Sequence, residues 1–118
     1  IYCYRRDTGE KKSYEIHSAG IKLIKLLEKI QHNMFQQATQ FRDKNTYIAK
    51  DYNEFKKLLN KGGFIKCGWD GNLDSENAIK SETKATIRCI LKTIDNNNQK
   101  CIYTDKPAKY EVIFARAY

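Results

Sequence analysis

Late in the chain, Cys101 is followed three positions on by Thr104, within Lys100-Cys101-Ile102-Tyr103-Thr104-Asp105-Lys106-Pro107. A second cysteine in place of Thr104 would complete a C-x-x-C turn, half of a tetrahedral zinc site. The other cysteines stand at 3, 67 and 89. None has a Cys or His neighbour at knuckle spacing, and His17 and His32 are far away in sequence. This spacing does not predict a complete zinc site or a disulfide framework. Each cysteine suits a small apolar core position, and a reducing compartment fits.

Other constellations are weaker. Asp70-x-Asn72-x-Asp74 copies the opening of a calcium loop, but Ser75 stands where that loop needs glycine and Ser81 where it needs an acid. A polar turn is the better reading. Gly62-Gly63 reads as a helix stop rather than a phosphate loop. Neither histidine has the neighbours of a catalytic triad. "YCYRRDTGEK" mixes aromatic rings with guanidiniums. Arg5 and Arg6 could hold phosphates or base edges, and Tyr2 or Tyr4 could stack on an unpaired base. An ordinary strand with one aromatic face buried is the competing reading.

The charge balance bears on the partner. The chain carries a formal charge of +8 over 118 residues. Residues 1–48 hold nine basic and five acidic side chains, and the remainder thirteen and nine. The positive field is therefore spread along the chain, as suits a nucleic-acid partner. A lysine-rich solvated surface would give the same composition. The chain starts at Ile1, with no leader and no long apolar run, and reads as a piece of a longer soluble protein.

The elements that must position these residues follow from periodicity. "IYCYRR" alternates as a strand, Asp7-Thr8-Gly9 turns, and Lys12 to Ile16 runs back as a second strand. Ile21, Ile24, Leu27, Ile30, Met34, Ala38 and Phe41 predict a long amphipathic helix from about Ser18 to Lys44. "NTYIAK" reads as a linker, dividing the chain into 1–48 and 49–118. Asp51 and Glu54 form a capping box for a helix over 51–60. A strand follows from Phe64 to Cys67, then a "WDGNLD" loop and a helix capped by Ser75 and running to Thr83. "ATIRCIL" and "YEVIFA" are strands flanking a polar loop, with Val112 and Phe114 on one face. The fold class is α/β (α+β). The second part, at about 70 residues, is small enough that a metal or docking partner usually helps it fold.

In this order, "RRDTGEK", "GGFIK", "IKSETKATIRCI", "KPAKYEV" and the final "FARAY" resemble the C-terminal end of prolyl-tRNA synthetases of the archaeal/eukaryotic type. The similarity covers nearly the whole chain. It implies that residues 1–48 close an anticodon-binding domain and that 49–118 are the extra C-terminal domain. It implies a parent enzyme of class II, homodimeric and cytoplasmic with no membrane attachment, joining proline to its tRNA with ATP and Mg²⁺. The catalytic motifs of that class are absent here, so the fragment itself is non-catalytic. Its partners would be proline tRNA and the other domains of the same chain.

The resemblance also locates the broken metal motif. The family pattern is an aromatic followed by C-G-x-x-x-C-E, and later K-C-x-x-C-G-K-P. Its ligand positions fall on Asp70, Ser75, Cys101 and Thr104. One thiol remains of four, so zinc is expected to be lost, with Cys67 the one residue near enough in sequence to substitute. The family's terminal tyrosine, which docks toward the active site, falls on Tyr118, supported by Arg116. Arg5, Arg6 and Lys11 become candidate tRNA contacts. The alternatives are a free-standing basic RNA-binding module and a structural brace without RNA contact.

Overall fold

The computed structural model describes residues 1–95 and 98–117. The chain divides into two compact units, Ile1–Asp43 and Lys44–Tyr118.

In the first unit, β1 (Tyr2–Tyr4) pairs antiparallel with β2 (Lys11–Ser13), Cys3 opposite Lys12. The turn closes through Gly9 N–H to Arg5 O and Arg5 N–H to Glu10 O, both 2.8 Å. Gly9 takes φ +76°, a value that favours glycine. Helix α1 (Ile16–Lys44) follows directly, so β2 is shorter than the expected strand and the helix starts earlier. The helix is apolar on more than its expected stripe. Ala19 is buried, and Leu23, Leu26, Ile30 and Asn33 are half-buried at helical spacing. By contrast Ile21, Ile24, Leu27, Met34 and Phe41 are 58–70% exposed. The periodicity was sound, but most of that stripe faces away from this unit's interior.

The second unit is a two-layer α/β sandwich. Its sheet runs β3-β4-β6-β5, with β3 (Thr46–Ile48), β4 (Phe64–Trp69), β5 (Ala85–Thr93) and β6 (Tyr110–Arg116). β3 is parallel to β4, and the other pairs are antiparallel. The expected linker thus contains a strand. Three residues with a β-branched residue at each end are too short to show a period. Helix α2 (Tyr52–Lys61) bears out the capping box: Glu54 N–H donates to Asp51 Oδ1 at 2.9 Å, and Glu54 Oε2 accepts from Lys50 N–H. Gly62 ends it at φ +83°.

Helix α3 (Leu73–Thr83) starts two residues before Ser75, because Asn72 is its cap and accepts from Asp74 N–H at 3.0 Å. The Ser75 hydroxyl is used elsewhere, as described below. Alternate residues of the central strands, Ile65, Cys67 and Trp69 facing Phe114, Val112 and Tyr110, meet both helices in one core. Phe55 of α2 and Phe114 of β6 are fully buried and cross edge to face with centroids 5.4 Å apart. Truncating either to alanine would cost about 3–5 kcal/mol. Edge strand β5 carries two register shifts, near Arg88 and Leu91, which twist it and blunt it against further pairing. No described helix is long and apolar enough to cross a membrane.

Candidate functional site

The two halves of the broken knuckle come together at the end of β4. Strand β4 delivers Trp69 and then Asp70. Gly71 turns the chain at φ +78°, and α3 presents Ser75. The second half approaches from residues 98–108. Ile102 N–H donates to Gly68 O (3.0 Å), and Lys109 N–H donates to Trp69 O (2.8 Å). The approach is so close that a Cβ on Gly68 would lie 2.4 Å from Lys100 O. Within this half, Cys101 N–H donates to Lys106 O (2.7 Å) and Asp105 N–H to Cys101 O (3.1 Å). Asp105 takes φ +59° at the position where the family pattern reads glycine. Aspartate tolerates that region better than most residues, so the turn survives the exchange.

Asp70 joins the halves. Its Oδ1 accepts from Ser75 Oγ at 2.6 Å and from Asn72 N–H at 3.1 Å, and its Oδ2 accepts from Thr104 Oγ1 at 2.8 Å. Ser75 Oγ in turn accepts from Trp69 Nε1 at 3.0 Å, with Asn72 O also within its reach at 2.8 Å. Burial pushes the Asp70 carboxyl up. The bonds from Ser75, Asn72 and Thr104 outweigh that and hold it below the usual carboxylate value. Glu82 adds a second tie, accepting from Tyr52 OH (2.8 Å) and Tyr103 OH (3.3 Å) while the two rings meet edge to face.

This donor set does not fit zinc. Two of the four positions are neutral hydroxyls, and both oxygens of the carboxylate already accept their protons. Cys101 is buried in the core cluster, as is Cys67. Burial, with Cys101 and Glu111 nearby, pushes the Cys67 thiol up to about 12, the opposite of what a thiolate ligand needs. Among the described residues no group of three or more His, Cys, Asp or Glu side chains is gathered for a metal. The magnitudes are unequal. A structural zinc contributes roughly 10–16 kcal/mol, and a hydrogen bond to a charged group about 1.5–3 kcal/mol. The clasp alone therefore does not match what a structural metal contributes.

The other candidates are more dispersed. Arg5 is held by Asp7 through Nε (3.1 Å) and Nη2 (2.7 Å), with Glu10 at 3.6 Å. Asn33 of α1 donates to Asp7 Oδ2 at 2.8 Å, tying the hairpin to the helix. Sequence reasoning missed this use of Arg5, although Asp7 two positions away was its signal. Arg6 and Lys11 are exposed, Lys11 resting 5.8 Å from the centre of the Tyr4 ring. Arg116 donates to Thr83 O (2.7 Å) and Asn60 Oδ1 (3.2 Å), fastening the end of β6 to both helices. Tyr118 lies outside the described residues.

Known proteins answer to this arrangement. The family model for the C-terminal part of prolyl-tRNA synthetase matches residues 52–118. The chain is 43% identical over 115 residues to a proline–tRNA ligase of Amoebophilus asiaticus, covering 97% of this chain and 23% of that protein. Against the ligase of Oceanobacillus iheyensis it is 42% identical over 118 residues, covering 25% of the relative. A crystal structure of prolyl-tRNA synthetase from Cryptosporidium parvum, complexed with halofuginone and AMPPNP, superposes with a TM-score of 0.85 at 27% identity. That match covers 99% of this chain and 25% of the other. The chain thus spans about a quarter of the length of these relatives, and it belongs to the prolyl-tRNA synthetase family, whose C-terminal region it matches.

Proposed function

We propose that this chain serves as the non-catalytic C-terminal region of an enzyme that ligates proline to its tRNA at the expense of ATP. The observation that carries the reading is identity of 42–43% over essentially the whole chain to proline–tRNA ligases. In this reading residues 1–48 complete an anticodon-binding domain and 49–118 form the appended lobe. ATP and Mg²⁺ act in the catalytic domain of a cytoplasmic homodimer. The exposed stripe Ile21, Ile24, Leu27, Met34 and Phe41 supports a bracing role. So much apolar surface on one helix calls for a covering surface, and the relatives are about four times longer. Arg6 and Lys11 are hairpin cations open to RNA, while Arg5 holds the hairpin. Arg116, by bonding Thr83 and Asn60, supports a role for the chain end in docking within the longer protein.

The test uses the longer protein that carries this chain. It should charge proline tRNA in an ATP-dependent reaction. Removing Lys44–Tyr118 should lower kcat for charging and leave selection among tRNAs intact. No charging by the longer protein would refute the reading.

A further inference from the structure

Four lysines that sequence reading passed over line one groove of the first unit. Lys12 and Ser13 of β2 and the adjoining Tyr14 form one wall. Lys22, Lys25, Leu26 and Lys29 of α1 form the other, around a volume of about 300 Å³. The helical lysines stand at i, i+3 and i+7 and so share one face. Lys12 sits 5.9 Å from the centre of the Tyr14 ring. Among the described residues, no carboxylate lies within ion-pair distance of any of the four. Some cations elsewhere are answered, Arg5 by Asp7, Lys66 and Lys92 by Glu111, and Lys100 by Asp105; what sets these four apart is that they share one groove. Four unanswered positive charges on one groove repel one another, and a polyanion relieves that repulsion.

We propose that this groove tracks the phosphate backbone of an RNA strand, in the tRNA reading on which the inference rests the anticodon arm. The spacing suits it. Lys22 to Lys29 spans about 10 Å along the helix axis, long enough for the row to follow a strand past more than one phosphate. Ser13 and Tyr14 add hydroxyls to the same wall. Contacts of this kind position RNA and carry no sequence information. The groove therefore adds affinity and salt dependence, and the reading of bases falls to other residues.

The test is fluorescence anisotropy of the 118-residue chain with a labelled proline tRNA transcript and an anticodon-changed transcript, between 50 and 200 mM salt. The variant replaces Lys12, Lys22, Lys25 and Lys29 with Gln. A control of equal charge replaces Lys57, Lys61, Lys80 and Lys106 with Gln. The groove variant should bind both transcripts at least tenfold more weakly, with its salt slope smaller by about three. The control should keep most of the affinity, and the ratio between transcripts should stay as in the unchanged chain. If the quadruple variant loses helix by circular dichroism, Lys22→Gln with Lys29→Gln should show about half the slope change. Equal losses in variant and control would overturn the groove. So would a groove-dependent preference for vesicles of phosphatidylserine and phosphatidylcholine over tRNA, which would make this face a membrane contact. If the unchanged chain does not discriminate between transcripts, yet the groove variant still loses its slope, the groove stands and only the anticodon reading falls.

Discussion

The Asp70 carboxylate accepts a hydrogen bond from the Thr104 hydroxyl at 2.8 Å across 34 residues of sequence, joining the turn after β4 to the turn that begins at Cys101. Ser75 completes the clasp from α3. Asp70→Ala leaves the Thr104 hydroxyl without its acceptor and the Ser75 hydroxyl with Asn72 O alone, and should destabilise the chain by about 2 kcal/mol. Thr104→Val should cost about 1 kcal/mol alone and little more in the Asp70→Ala background. Urea unfolding of the two single variants and the double variant checks this, and additive losses would mean the residues are not coupled.

Because the donor set of the clasp does not fit zinc, treatment with a chelator should leave the melting temperature unchanged. Elemental analysis of purified protein should find far less than one zinc per chain. The backbone of the knuckle is nevertheless kept. Replacing Asp70, Ser75 and Thr104 together with Cys, beside Cys101, should create a chain that takes up one zinc and melts higher with it. Failure of that variant to bind zinc would show that the turns no longer have knuckle geometry.

Gly68 is where the backbone of the 98–108 segment crosses close to β4. Gly68→Ala would press a methyl against Lys100 O and the Ala108 side chain, at 2.4 and 2.8 Å. Overpacking of this kind costs about 1–3 kcal/mol. The loss should appear in thermal melts and as faster amide exchange at Ile102 and Lys109, whose N–H groups bond β4.

The hairpin of the first unit should respond to acid. The hydrogen bond from Arg5, supported by Asn33 and the Arg5 charge, holds the Asp7 carboxyl at about 2 against an ordinary 3.8, despite partial desolvation. A depressed carboxylate favours the folded state above its unfolded pKa. Its contribution is therefore full above about pH 4 and is lost as pH falls through about 2. The Asn33 side-chain amide resonance, followed by NMR, should move with a midpoint near 2. A midpoint near 4 would mean that the Arg5–Asp7 pair does not persist in solution.

Much of this was legible in the chain because the signals are local. The Asp51–Glu54 capping box, the Gly62 stop and the alternation through Val112 and Phe114 each involve residues within a few positions. What escaped depends on contacts distant in sequence. β3 is a strand because Thr46 and Ile48 pair with Phe64 and Lys66. Ser75 is not the helix cap because Asn72 caps the helix three residues earlier, which leaves the Ser75 hydroxyl inside α3 to donate to Asp70. Arg5 reads as free although Asp7 is only two positions away, because the bond from Asn33 that holds Asp7 comes from 26 residues on. The α1 stripe had the right period, but a helix apolar on two faces does not declare which face its own unit will cover. The Lys12, Lys22, Lys25 and Lys29 groove joins a strand to a helix, so no single window of sequence contains it.

The account stands most directly on whether this chain contributes to selecting proline tRNA. Titrating the 118-residue chain with proline tRNA, a non-cognate tRNA and an anticodon-changed proline tRNA at one salt concentration measures it. Tighter binding to proline tRNA that weakens when the anticodon is altered is the predicted result. Equal binding to all three would contradict it and leave the chain as a brace without a part in tRNA selection.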